Sequence, residues 1–63
     1  MSRLSYMDAQ ELKRRRKGLG LTQRALAARL GVDQMTVSRW ERGRFKIPEM
    51  AAVAIRSLKK KER

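Results

Sequence analysis

Residues 22–43 read TQRALAARLGVDQMTVSRWERG. Their apolar spacing predicts two short helices around one tight turn. Thr22 is a favoured N-cap for a helix over 23–30, because its hydroxyl can serve a free amide of the first turn. Leu26, Ala27 and Leu30 follow the i, i+1, i+4 spacing of a single buried stripe. Gly31 is expected to stop that helix in the left-handed conformation that glycine adopts without penalty. Val32 would plug the turn and Asp33 would cap the next helix, residues 34–42, which Gly43 ends.

The helix over 34–42 has two unlike flanks. With Gln34 at zero and a turn of about 100° per residue, Ser38 falls at about 40°, Arg42 at about 80°, Met35 at about 100° and Arg39 at about 140°. Asp33, Trp40 and Val37 gather on the other side, at about 240° to 300°. One flank is suited to burial. The other carries amide, thioether, hydroxyl and guanidinium groups. A solvated face is the plain reading of such a flank. The two-helix layout gives it another, since Gln can pair with adenine, Arg can pair with guanine, and Met35 can touch a thymine methyl. Two helices joined in this way form a helix-turn-helix, whose second helix enters the DNA major groove. Trp40 has the ring of a base-stacking group, but its place on the apolar flank makes it core.

On the N-terminal side, residues 1–7 are expected as a loose arm. Asp8 caps a first helix that runs to about Lys17, with Leu12 inward, and Gly18 and Gly20 end it. Leu21 turns back to the core. On the C-terminal side, Arg44 to Ile47 form a basic loop and Pro48 suits the first turn of a last helix. Ile47, Met50, Ala51, Ala54, Ile55 and Leu58 recur at helical spacing. The expected core is Leu12, Leu21, Leu26, Ala27, Leu30, Val32, Val37, Trp40, Ile47, Met50, Ala54, Ile55 and Leu58, in a domain over 8–58 followed by a basic tail, 59–63. Tyr6 is expected as a packing anchor and Phe45 as a loop plug. The run Lys13 to Lys17 wraps a whole helix, so part of it must face solvent and act as a general electrostatic surface. The fold class is all-α, a compact bundle of four to five helices.

Composition narrows the chemistry. The chain has 63 residues, 17 Lys and Arg against 6 Asp and Glu, and a net charge of +11. A domain this small buries only about 60% of its unfolded surface. Its field attracts polyanions. There is no cysteine and no histidine, which removes disulfides, the commonest metal ligands and the usual general base. The acidic residues are scattered, and the serines have no histidine to activate them. No enzyme, metal, cofactor or small-molecule ligand is therefore expected. The longest apolar run, Met50 to Ile55, is far short of the ~20 residues of a membrane span, and because no apolar stretch follows Met1 no secretory signal is expected. A cytoplasmic protein, nucleoid-associated when bound to DNA, is expected.

Residues 12–58 resemble the Cro/phage-repressor-type (XRE) helix-turn-helix family. The likeness rests on Gly20-Leu21-Thr22-Gln23, Leu26-Ala27, Leu30-Gly31-Val32, Val37-Ser38-Arg39-Trp40-Glu41-Arg42-Gly43 and Pro48. The resemblance implies a lambda-repressor-like fold with Gln34, Met35, Ser38 and Arg39 facing bases. It implies phosphate contacts from Gln23, with Thr22 at the same helix start, and from Arg42, Arg44 and Lys46. It also aligns Arg16 with an arginine that pairs with the glutamate matched by Glu41; Arg14 and Arg15 stand just before Arg16 and carry the same group. Family members commonly add a fifth helix that helps dimerisation, and larger ones an effector domain. This sequence shows neither and is expected to be a bare DNA reader without a ligand switch.

The expected function is sequence-specific transcriptional regulation, by binding double-stranded DNA as a homodimer on an inverted repeat. A chain that is monomeric in free solution and pairs only on DNA suits so small a size. An antitoxin-type autoregulator that also binds a protein toxin is the nearest alternative. A protein-interaction module with only non-specific DNA affinity fits the charge but not the polar flank of 34–42. A membrane-active cationic helix would need the apolar stripe that closes the domain.

Overall fold

The computed structural model describes residues 7–59. Four helices follow one another: α1 Ala9–Gly18, α2 Gln23–Leu30, α3 Gln34–Glu41 and α4 Glu49–Ser57. No strand occurs among the described residues. α2 packs chiefly on α3, α1 lies against α3 and α4, and α4 closes the bundle against α1 and α2. The expected arm residues 1–6, Tyr6 among them, and tail residues 60–63 lie outside the described residues.

The same two devices shape successive helices. At the starts, an apolar residue stands just before each cap and another five positions later. The pairs are Met7 and Leu12, Leu21 and Leu26, Val32 and Val37, Ile47 and Ala52. This is the spacing of a hydrophobic staple, which fixes the angle at which the chain enters a helix. The second members, Leu12, Leu26, Val37 and Ala52, are all 0% exposed. At the ends of α1, α2 and α3 a glycine reverses the chain. Leu21 N donates to Arg16 O (3.2 Å), Val32 N to Ala27 O (3.0 Å) and Arg44 N to Arg39 O (3.0 Å). These are the six-to-one bonds of the Schellman motif. At Gly31 and Gly43, φ is 74° and 75°, values that a side chain makes costly.

Side-chain caps are uneven. Asp8 accepts from Glu11 N at 2.8 Å and Thr22 Oγ1 accepts from Ala25 N at 3.0 Å. Asp33 was expected to cap α3, yet its side chain makes no capping bond. At an exposed helix start water serves the amides equally well, so the carboxylate is not compelled to fold back. Pro48 stands at the cap position of α4, one residue ahead of the expected first turn, with φ −63° and ψ 150°.

The core consists of Met7, Leu12, Leu26, Ala27, Val37, Trp40, Ile47, Ala52 and Ile55, with Leu21, Leu30, Val32, Ala51 and Leu58 partly buried against it. Two expectations are corrected. Met50 is 82% exposed, and Ala52 takes the inward place. α4 is apolar nearly all round, so periodicity alone admits more than one stripe. Met50 lies about 140° from Ile55, whereas Ala51 and Ala52 lie within about 60° of it. Ala54 is half-buried. Met7, expected in the loose arm, is buried; as the outer member of the α1 staple it covers an end of a core too small to spare it.

Candidate nucleic-acid interface

α3 shows the two flanks that its sequence implies. Val37, Trp40 and Glu41 are buried. Gln34, Met35 and Arg39 are exposed and Ser38 is half-buried. Gln34 and Ser38, and likewise Met35 and Arg39, are four residues apart and stand above one another on the open side. The packing of α2 on α3 holds this side outward, because Val37 and Trp40 anchor the opposite one.

A polar network fixes the two ends of the motif to each other. Arg16 grips Glu41 bidentately, Nε donating to Oε2 at 2.6 Å and Nη2 to Oε1 at 3.1 Å. Its Nη1 donates to the carbonyl of Leu21 at 2.9 Å. Gln23 Nε2 donates to Glu41 Oε1 at 3.1 Å. One guanidinium therefore joins α1, the entry to α2 and the end of α3. Arg14 is exposed, and Arg15 instead pairs with Glu11 at 2.8 Å. Burial pushes the Glu41 carboxyl up, but the bonds from Arg16 and Gln23, with the charges of Arg16 and Lys13, outweigh it and hold the group below the ordinary carboxylate value. No buried side-chain polar atom among the described residues lacks a partner.

The proposed phosphate residues fall in two places. Thr22 and Gln23 open α2. Thr22 is exposed, and its hydroxyl proton is left to donate, since its oxygen accepts from Ala25. Gln23 is half-buried and spends one amide proton on Glu41, leaving the other. Arg42, Arg44 and Lys46 are exposed on the turn and loop that follow α3. The network ties the start of α2 to the end of α3, which brings Gln23 next to the turn that carries Arg42.

Phe45 is not the plug expected of it. It is 59% exposed, and Ile47, two residues on, fills the apolar slot as the outer staple of α4. The ring instead meets the guanidinium of Arg39, whose Cζ lies 5.8 Å from the ring centroid. Only the three-dimensional course of the turn brings these two side chains together. The burial of Met7, by contrast, has a sequence signal in the staple spacing to Leu12.

No helix among the described residues is long and apolar enough to cross a membrane, and no cluster of metal-ligating side chains occurs among them. Neither a curated protein sequence nor a solved structure matches the chain significantly. A family model described as Helix-turn-helix matches residues 12–56, which takes in all of α2 and α3, the network of Arg16, Gln23 and Glu41, and the basic loop. The chain belongs to the helix-turn-helix family of the Cro/phage-repressor (XRE) type, a family of DNA-binding regulators rather than of catalysts.

Proposed function

We propose that the protein is a sequence-specific transcriptional regulator that reads the DNA major groove with α3. The observation that carries this is the division of α3: Val37, Trp40 and Glu41 buried, and Gln34, Met35 and Arg39 exposed on the other flank. Arg39 is the side chain best able to pick out guanine, and Gln34 adenine. Gln23, Arg42, Arg44 and Lys46, with the Thr22 hydroxyl, hold phosphates and set the register without reading sequence. The protein binds as a homodimer on an inverted repeat, with half-sites about one helical turn (~10 bp) apart. It works in the cytoplasm, on the nucleoid.

Selection of bound sequences from random duplexes, repeated at two salt concentrations, tests the reading. An inverted repeat with that spacing is expected to emerge. Arg39→Ala then loses preference at one base pair, by about 1–3 kcal/mol, while Arg44→Ala weakens all duplexes alike and lowers the salt slope by about one. Equal affinity for selected and random duplex, in the unmodified protein, would reject it.

A further inference from the structure

The turn that ends α3 makes a contact between a proposed base-reading residue and a loop residue that the family reading leaves without a role. Gly43 N donates to Trp40 O at 3.1 Å and Arg44 N to Arg39 O at 3.0 Å, so the chain doubles back over the last turn of α3. Phe45, the next residue, thereby reaches the guanidinium of Arg39, 5.8 Å from Cζ to ring centroid. The separation is within the range of a cation–π contact.

We propose that Phe45 is a positioning residue for Arg39, its ring fixing the guanidinium plane so that the edge is already presented when DNA arrives. This rests on the reading of α3 as the base-contacting helix. The chemistry favours an aromatic partner over an acidic one. A carboxylate would steady Arg39 only by occupying the N–H groups that guanine must receive. A ring takes the face of the guanidinium and leaves those donors, which lie in its plane, free. No described carboxylate pairs with Arg39: Glu11 is held by Arg15 and Arg56, and Glu41 by Arg16. An arginine side chain is otherwise free to sample many rotamers, and each must be given up on binding. The contact also strengthens as water leaves the interface.

The test uses the full chain, a duplex selected by it, the single-base-pair variant of that duplex that Arg39→Ala no longer distinguishes, and a random-sequence duplex. Phe45→Leu is expected to lower the preference for the selected duplex over the variant about two- to five-fold, the weight of an exposed cation–π contact. Affinity for random duplex and the salt slope should stay as they were. Phe45→Trp should restore the preference, and Phe45→Leu should add nothing once Arg39 is alanine. Helical circular dichroism confirms that each variant is folded, and Trp40 fluorescence does so for Phe45→Leu and Arg39→Ala, which add no second tryptophan. If Arg39→Ala destroys the preference while Phe45→Leu leaves it whole, the positioning role is refuted and the reading of α3 stands. If Phe45→Leu weakens every duplex equally, the ring is a general contact and the proposal fails. If Arg39→Ala itself changes nothing, both fall together.

Discussion

Glu41 is the residue on which most of the motif converges. It is buried, negative in a chain of net charge +11, and bound by groups from two other segments. Its partner Arg16 is nearly buried too, with its side chain 13% exposed. Such a pair adds little over a well-packed apolar substitute, but removing one member strands the other charge at a cost of about 3–5 kcal/mol. A single small core seldom supplies more than about 3–5 kcal/mol in all. Glu41→Ala is therefore expected to unfold the domain at room temperature, seen as loss of helical circular dichroism. Arg14→Ala, at an exposed position of the same basic run, should leave the melting curve within about 0.5 kcal/mol. A folded, cooperatively melting Glu41→Ala protein would show that the network is dispensable.

At the scale of elements, one start-and-stop grammar is used repeatedly. Each helix begins between an apolar residue and its partner five positions on, and three end on a glycine-led reversal. The grammar explains why α4 faces the way it does. Ile47 and Ala52 are its staple, so Ala52 points inward and Met50 does not. The expected consequence is a contrast between neighbours. Ala52→Leu adds volume where no space is free and should cost about 1–3 kcal/mol. Met50→Ser, at a position 82% exposed, should change stability by less than about 0.5 kcal/mol. Thermal melts of the two variants check this, and the reverse order would mean that α4 is rotated. The reversal after α3 has a second consequence, because it delivers Phe45 to Arg39.

Across the whole molecule, two carboxylates act as ties in a strongly positive body. Glu41 joins α1, α2 and α3. Glu11 joins α1 to α4 through Arg56 at 3.2 Å, besides its own-helix bond to Arg15. The bond from Arg15 lowers the Glu11 carboxyl; partial burial opposes it, and Arg56 adds to the lowering. Both carboxyls therefore sit below their unfolded values, near 4.3 for glutamate. The folded state holds fewer protons than the unfolded chain in this range, so stability rises with pH there. The contribution is complete above the unfolded value and is lost as pH falls through the folded ones. Melting temperature should be level from pH 7 to about 5 and fall below about 4.3, and Glu11→Gln should make the fall shallower. A melting temperature unchanged down to pH 3 would contradict this. Protonation also removes the few negative charges that offset self-repulsion, which steepens the loss.

Local chemistry was enough to place the helices of this chain. Glycines at 20, 31 and 43, caps at Asp8 and Thr22, and apolar residues at helical spacing act over a few neighbours, so the linear order carries them. The two flanks of α3 follow from the same short-range geometry, and so does the burial of Val37 and Trp40. The apolar residues of α4 by themselves do not say which stripe turns inward, since the helix is apolar nearly all round; the staple of Ile47 and Ala52 points to it, and the partners that α1 and α2 offer complete the choice. The choice of Arg16, rather than Arg14 or Arg15, to meet Glu41 needed a helix phase and an interhelical distance. The meeting of Arg39 with Phe45 needed the path of a turn. These are relations between surfaces that become neighbours only when the chain has packed, and packing depends on shape and volume summed over all the helices rather than on the residue type at any one position.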